Sequence, residues 1–240
     1  MSKEKLITFL CDAGCGSRRE CEDYIKSGRV KVNGEVIKKL SYEIDPKKDI
    51  ITLDEERVRK KEDIYIAFYK PKMCLVTSFD PLNRPKVYDF LPLFEKKVYP
   101  VGKMDYHSEG LLILTSDRKL IKDILSKDNI EKVYEVKIKG EAEEKLIRKL
   151  RKGIPIEKEK IKCDRVSFIR KTKKGNSWLE ISVATWSIRK LKLLFLYLKH
   201  PVMKLKRVKI ANIELLDLNP KEFRFLTKKE IKILKNLIKS

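Results

Sequence analysis

The sequence predicts an α+β fold in which a small helix–helix–hairpin module precedes a larger domain with a mixed, mainly antiparallel sheet and packed helices. Near the N-terminus, two helical patterns are followed by an Asn-Gly pair between alternating segments, which is a strong hairpin signal. A charged stretch with little secondary-structure pattern follows. Beyond it, strand-like segments dominate, and the helices are too irregularly placed for a doubly wound parallel sheet.

The N-terminal module is predicted to begin with two helices. Apolar residues recur at helical spacing within residues 3–13, and Gly14 follows as a stop. Ser17 and Glu20 then have the S-x-x-E spacing of a capping box, which predicts that a second helix begins at Ser17 and runs to about Ser27.

A hairpin is predicted after these helices. Residues 29–32 and 35–37 alternate on either side of Asn33-Gly34, a pair that suits a two-residue hairpin turn. A further strand is expected at Asp49–Leu53.

The charged run at residues 57–63 (RVRKKED) is predicted to separate two domains. The prediction therefore divides the chain into a module at residues 1–58, a linker at residues 59–63 and a larger domain at residues 64–240. A solvated turn between two strands of one domain would also suit this run.

The larger domain is predicted to alternate between strands and a few helices. The strand-like segments are Ile64–Tyr69, Gly110–Leu114, Val133–Ile138, Ile161–Ile169, Trp178–Ala184, Met203–Ile210 and Ile213–Leu216. The helical segments are about Arg118–Leu125, Glu141–Arg151 and Ile188–Lys199. A last helix is predicted after a Thr227/Glu230 capping box, with Ile231, Leu234 and Ile238 on its apolar face.

The composition indicates a polyanionic partner. The 240 residues include 57 Lys and Arg against 35 Asp and Glu, for a net charge of +22, and most of the excess lies after residue 60. Such an excess suits nucleic acid or an anionic membrane surface, although a Lys-rich proteome would also raise it. The membrane alternative fails because the chain lacks a basic amphipathic helix with interfacial aromatic residues.

The sequence predicts a cytoplasmic protein without a metal or disulfides. No apolar run approaches the roughly 20 residues that cross a bilayer, and the first residues have no signal-peptide core. The cysteines are odd in number, irregularly spaced and accompanied by few histidines, which favours buried thiols over disulfides or zinc ligands. The cysteines are Cys11, Cys15, Cys21, Cys74 and Cys163, and the histidines are His107 and His200.

An anion-binding site is predicted at the start of the second helix. Arg18 and Arg19 lie in its first turn, where backbone N–H groups and the helix dipole already favour anions. The surrounding sequence, residues 13–34, resembles the RNA-binding domain named after the fourth small-subunit ribosomal protein, and the resemblance covers about residues 3–53. It implies that several basic residues contact the RNA backbone. These are Arg18, Arg19, Lys26, Arg29 and Lys31.

A second resemblance covers nearly all of residues 62–240. Residues 99–117 (YPVGKMDYHSEGLLILTSD) resemble the catalytic signature of the ribosomal small- and large-subunit pseudouridine synthase family, which reads roughly V-G-R-L-D-x-x-T-x-G-L-L-L-L-T-x-D. Further matches follow the family order: residues 69–71 resemble its N-K-P segment, residues 200–208 its G-H-P-V-x-x-L-x-R segment, and residues 224–227 its R-x-L-T segment.

The family resemblance implies an enzyme that converts uridine to pseudouridine in ribosomal RNA and needs no cofactor, since no atom is gained or lost. It implies that Asp105 is the catalytic carboxylate, either as a nucleophile at the anomeric carbon or as a base at the ribose. Tyr134 matches the family's K-x-Y-x-V strand and is expected to stack on the flipped base, although an ordinary strand tyrosine would fit equally well. Lys192 aligns with the basic residue that keeps the carboxylate ionised. Further RNA contacts are expected from Lys70, Lys103, Arg189, Lys206 and Arg207.

Two motifs depart from the family pattern. Lys103 replaces the Arg of G-R-L-D, which keeps the charge but loses the fork geometry. The third family motif, usually E-G-[RK]-x-R-Q-[IV]-R-R-M, reads TWSIRKLKLL at residues 185–194, so the Glu-Gly turn and the Gln are absent. If the alignment is shifted by one turn, Arg189 or Lys190 takes the place of Lys192 beside the catalytic carboxylate.

Two functions remain open on these observations. The first is an active isomerase of uridine in ribosomal RNA. The second is a catalytically weakened or inactive protein of the same fold that binds ribosomal RNA or assists ribosome assembly. The altered third motif favours the second, whereas the retained Asp105 and Tyr134 favour the first. The ribosomal subunit stays open, although residues 109–117 are slightly closer to large-subunit members, and the resemblance suggests a monomer.

Overall fold

The chain divides into two compact units, Met1–Asp63 and Ile64–Ser240. The computed structural model describes residues 3–59, 62–127 and 129–239, so the linker predicted at residues 59–63 falls partly outside the described residues. None of the helices in these ranges combines the length and the apolarity of a membrane span.

Within residues 3–59, the N-terminal unit consists of two helices and six short strands. The helices are α1, Leu6–Ala13, and α2, Arg18–Lys26. The strands are β1 Glu4–Lys5, β2 Val30–Val32, β3 Glu35–Val36, β4 Glu43–Ile44, β5 Ile51–Leu53 and β6 Glu56–Arg57. Strands β3, β2, β5 and β6 form an antiparallel sheet in that order, and β1 pairs with β4.

Caps and turns explain where these elements begin and end. Gly14 follows α1 with a left-handed φ of 82°. The Ser17 hydroxyl accepts from the Glu20 N–H at 3.3 Å, and the Glu20 carboxylate accepts from the Ser17 N–H at 2.6 Å, which confirms the predicted capping box. Asn33-Gly34 has φ angles of 53° and 89°, as the predicted hairpin turn requires.

The N-terminal unit has a hydrophobic core of its own. The apolar face of α1 packs against Ile25 of α2 and against the inner residues of the small sheet. Cys21 is buried in this core, and Cys11 and Cys15 pack against it. All three are free thiols.

The larger unit contains the remaining elements. Its strands are β7 Tyr65–Lys70, β8 Tyr99–Pro100, β9 Glu109–Thr115, β10 Lys132–Ile138, β11 Ile154–Ile156, β12 Glu159–Ile161, β13 Arg165–Lys171, β14 Ser177–Val183, β15 Val202–Ile210, β16 Ile213–Glu214 and β17 Phe223–Phe225. Its helices are α3 Arg118–Leu125, α4 Glu144–Lys152, α5 Ile188–Tyr197 and α6 Lys228–Lys239, with a 3-10 helix at Val87–Phe90.

The main sheet is mixed and mainly antiparallel, which confirms the predicted fold class. Its strands follow the order β13-β14-β10-β15-β9-β7-β17, with β16 paired to β15 and β8 paired to β9. Strands β15 and β9 run parallel, whereas the other described pairs are antiparallel. One core cluster joins α4 and α5 to β10 and β14, and another joins α3 and α6 to β7 and β9.

The segment predicted as one strand at Ile161–Ile169 is two elements. Strand β12 ends at Ile161 after a hairpin with β11, and β13 begins at Arg165. No hairpin was predicted here, because the turn residues Glu157 and Lys158 are neither Gly nor Asn. Both nevertheless have positive φ angles, 50° and 68°. The burial of Ile156 and Ile161 in the hairpin therefore outweighs the conformational preference of its turn residues.

The parallel contact between β9 and β15 depends on a glycine. Gly110 pairs with Arg207 and has a φ of 108°. A Cβ at Gly110 would overlap the carbonyl oxygen of Arg207 and would lie 2.7 Å from the backbone nitrogen of Arg207. No side chain fits between the two backbones, so β9 and β15 approach closely only with glycine at this position.

We expect Gly110→Ala to lower the free energy of unfolding by about 3–5 kcal/mol, because overpacking against backbone adds to the strain of a positive φ. Gly175→Ala is the matched control, since Gly175 also has a positive φ of 73° but open space around its Cβ position. It should cost about 1 kcal/mol. Urea denaturation of the full-length proteins measures both, and equal costs would contradict the assigned backbone contact.

Candidate active site

Asp105 lies on a short loop that leads into β9. Val101 and Met104 are buried, so the loop is anchored before the aspartate. The Ser108 N–H donates to Asp105 Oδ1 at 2.8 Å, which closes a turn around the carboxylate. The Asp105 side chain is still 40% exposed, so a substrate can reach it.

Two buried basic residues support this loop from within the sheet. Lys70, at the end of β7, donates from Nζ to the carbonyl oxygens of Ser108 and Pro71 at 2.7 Å and 2.9 Å. Arg207, on β15, donates from Nε to the Leu111 carbonyl at 2.8 Å. Burial lowers the pKa of Lys70 to about 8.

The predicted RNA contacts of Lys70 and Arg207 are not supported by this arrangement. Both side chains are fully buried, and the hydrogen bonds just described point into the protein. The Lys70 ammonium supports the loop, because a buried cation needs carbonyl partners in place of water. The buried Arg207 Nη atoms have no hydrogen-bond partner among the described residues.

Lys192 provides the cation beside Asp105. Its Nζ lies 2.6 Å from Asp105 Oδ2. Lys192 is placed by α5. Leu191 and Leu194 are buried, so the opposite side of this helix faces the core. The two alternatives from the sequence have other partners, since Arg189 pairs with Glu157 at 2.5 Å and Lys190 pairs with Glu159.

The surroundings of Asp105 favour its charged form. Partial burial is the largest effect and raises the carboxyl pKa, but the hydrogen bonds from Lys192 and Ser108 and the Lys192 charge together outweigh it. The pKa of Asp105 therefore lies below its ordinary value, and the group is a carboxylate at neutral pH.

Tyr134 lies in the core beside this site. It belongs to the same buried cluster as Met104 and Leu191, which precede Asp105 and Lys192 in the chain, and its side chain is only 1% exposed. Stacking of the ring on a flipped base stays a prediction, and it requires neighbouring side chains to move.

The other residues predicted to contact RNA differ in their exposure and in their acidic partners. Lys103 is exposed near Asp105, and Lys206 lies 3.8 Å from Glu135. In the N-terminal unit, Arg18, Arg19 and Lys26 are exposed along α2. Some of these residues also have acidic partners. Arg18 lies 3.4 Å from Glu22 on the same helix, Arg29 forms a bidentate contact with Asp54, and Lys31 pairs with Glu55.

Ser108 is a residue of the site that the sequence analysis did not single out. Its N–H holds the Asp105 carboxylate and its carbonyl receives Lys70, so it connects the surface carboxylate to the buried amine. The sequence feature that could have identified Ser108 is its position three residues after Asp105, where the family pattern has Thr.

Two protein families match this chain. The S4 domain family matches residues 4–51, and the family described as RNA pseudouridylate synthase matches residues 64–196. The chain belongs to the RNA pseudouridylate synthase family. In this pseudouridylate synthase, the family match includes both Asp105 and Lys192.

Full-length relatives of this pseudouridylate synthase extend the match. "Ribosomal large subunit pseudouridine synthase B" of Bacillus subtilis is 33% identical over 236 residues, covering 98% of this chain and 96% of the relative. An uncharacterised RNA pseudouridine synthase of Aquifex aeolicus is 34% identical, covering 96% and 93%. A crystal structure of a pseudouridylate synthase has a TM-score of 0.63 at 26% identity, covering 96% of this chain and 99% of that one.

We expect Lys192→Ala to raise the pKa of Asp105, because it removes the main group that lowers it. A 13C titration of the carboxyl groups measures this, with the Asp105 signal assigned by its loss in Asp105→Asn. Lys190→Ala is the matched control, because Lys190 lies on the same helix and pairs with Glu159 instead. An Asp105 pKa that is unchanged in Lys192→Ala would contradict the role of this ion pair.

Proposed function

We propose that the protein isomerises uridine to pseudouridine in ribosomal RNA, with Asp105 as the catalytic carboxylate. The observation that carries the proposal is the ion pair between Asp105 and Lys192, at 2.6 Å, on an accessible loop of a pseudouridylate synthase. The altered third motif thus still provides a cation for the carboxylate, although as Lys and without the Glu-Gly turn.

The proposed reaction breaks the bond between uracil N1 and the ribose C1′ and forms a bond from C5 to C1′. The proton on C5 is lost and N1 gains one, so atoms and electrons balance without an added reagent. The target base must first leave its stack to reach the protein. Asp105 acts either as a nucleophile at C1′ or as a base at the ribose, and both roles require the ionised form that Lys192 and Ser108 favour.

Two further roles belong to the same proposal. Tyr134 contacts the uracil ring and serves as the base at C5, once the neighbouring side chains that bury it have moved. The basic residues that remain exposed near the catalytic loop and α5, such as Lys103 and Arg189, contact the RNA backbone.

The two units have separate roles in this proposal. Residues 1–58 bind the RNA backbone through the exposed start of α2, residues 59–63 link the units, and residues 64–240 carry out the reaction. The S4 domain match and the exposed Arg18 and Arg19 support the first assignment.

We propose large-subunit ribosomal RNA as the substrate, because the relative from Bacillus subtilis is named for that subunit. A ribosomal RNA substrate places the work of the protein in the cytoplasm. We propose that it acts there as a monomer, as the family resemblance suggests.

Pseudouridine mapping of ribosomal RNA from cells that lack the protein tests the activity. One site should disappear, return with the wild-type protein and stay absent with Asp105→Asn, because an amide cannot act as the anionic nucleophile or base. Asp164→Asn is the matched control and should restore the site, since Asp164 is an exposed residue that pairs with Lys162. Restoration by Asp105→Asn would refute catalysis by Asp105 and favour the binding-only alternative.

Salt-dependent RNA binding tests the role of α2. The double variant Arg18→Ala/Arg19→Ala should weaken binding and reduce the slope of log K against log salt by about 1.4 to 1.8, because each lost phosphate contact removes about 0.7 to 0.9. Lys47→Ala/Lys48→Ala makes the same charge change at exposed positions of the same unit. Equal slopes in the two variants would argue against a phosphate site at the start of α2.

A further inference from the structure

Trp186 contacts the backbone of the loop that carries Asp105. A Cβ on Gly102 would lie 3.1 Å from Trp186 Cε3 and 3.2 Å from Cζ3, so the six-membered edge of the indole fills the space of the missing side chain. Gly102 also has a left-handed φ of 79°, which further restricts this position to glycine. The contact lies three residues before the catalytic aspartate.

The indole is held by a buried lysine on its ring face. Lys132 Nζ lies 4.1 Å from the ring centroid of Trp186 and donates to the Ala184 carbonyl oxygen. The Lys132 side chain is fully buried. A cation–π contact is stronger in such a desolvated setting than at the surface, so β10 restrains the orientation of the ring.

Helix α5 begins shortly after Trp186 in the chain, with Ser187 as its N-cap. The Thr185 hydroxyl accepts from the Ser187 N–H at 3.1 Å, and the Ser187 hydroxyl accepts from the Lys190 N–H at 3.2 Å. This cap fixes the start of the helix that carries Lys192. Trp186 is therefore directly connected to α5 and in contact with the Asp105 loop.

We propose that Trp186 is a positioning residue that sets the separation between the Asp105 loop and α5, and with it the contact between Asp105 and Lys192. The kinetic part of this inference rests on the proposed function, whereas the geometric part rests on the contacts alone. Trp186 stands where the family pattern has the Gly of its Glu-Gly turn.

The need for such a residue follows from the chemistry of the pair. A lysine ammonium meets a carboxylate as a point charge on a flexible chain, without the planar fork of arginine. The rigid indole compensates by fixing the two backbones from which the side chains extend. Without it, the loop has more freedom to move away from α5.

Movement of the loop would change the electrostatics of Asp105. Its charged neighbours are Lys192 on α5, which is hydrogen-bonded to it, and Lys70 on β7, which acts through charge alone. A loop that moves away from α5 loses the lowering effect of Lys192 and keeps part of the raising effect of burial. The pKa of Asp105 then rises.

The test compares Trp186→Ala, Trp186→Phe and Trp178→Ala in the full-length protein. Trp178 is the other of the two tryptophans and has Arg170 5.8 Å from its ring centroid, so its truncation removes a similar volume and a similar contact elsewhere on the sheet. For each protein, the Asp105 carboxyl is titrated by 13C NMR. The values of kcat and KM are measured across pH on an RNA fragment that contains the mapped uridine.

Trp186→Ala should raise the pKa of Asp105, move the acid limb of kcat to higher pH and lower kcat about 10- to 100-fold at neutral pH, with a smaller effect on KM. Trp186→Phe should retain most of the wild-type behaviour, because a ring still fills the space over Gly102. Trp178→Ala should match the wild type in all three measurements.

An unchanged Asp105 pKa and pH profile in a folded Trp186→Ala protein would overturn the proposal, as would equal changes in Trp178→Ala. If circular dichroism shows that Trp186→Ala does not fold, Trp186→Leu decides, because leucine keeps apolar volume but neither reaches as far nor offers a ring face. An unchanged pKa there would also overturn it. If the wild-type protein isomerises no uridine, the proposed function fails, and the titration still tests the role of Trp186.

Discussion

The geometry of the active site depends on the parallel contact between β9 and β15. This contact joins the two halves of the main sheet through two paired positions, Lys206 with Glu109 and Arg207 with Gly110. The Asp105 loop leads into β9, and α5 is followed by β15. Because each strand follows one partner of the ion pair, the interaction that holds the strands together also brings the carboxylate and the ammonium within reach of each other.

Local signals predicted most of the elements, whereas long-range burial was not predictable. The Ser17 capping box and the Asn33-Gly34 turn act over two to four residues, so a sequence window contains all their partners. Asp105 and its basic partner were identified through family motifs. The burial of Lys70 and Arg207 depends on carbonyl groups from a segment tens of residues away in the chain, and a motif does not show the direction in which a side chain points.

Part of the positive charge of the protein lies in ion pairs within the protein. Arg29, Lys31 and Arg189 each face a carboxylate, so an RNA phosphate that binds them has to share or displace an acidic partner. Such pairs hold a side chain in a defined position before RNA arrives and reduce its net attraction. The unpaired excess within the net charge of +22 supplies attraction over longer distances.

The buried amine of Lys70 gives the site a charge that varies within the physiological range of pH. Its pKa of about 8 means that it loses its proton in mildly alkaline solution, while Asp105, whose pKa lies below its ordinary value, remains a carboxylate. A neutral amine still has two N–H groups, enough to keep its bonds to Ser108 and Pro71. The charge of the buried amine then changes from +1 to zero while its bonds to the backbone are kept. Alkaline solution thus makes the surroundings of the Asp105 carboxylate less positive, while the hydrogen bonds that support its loop remain.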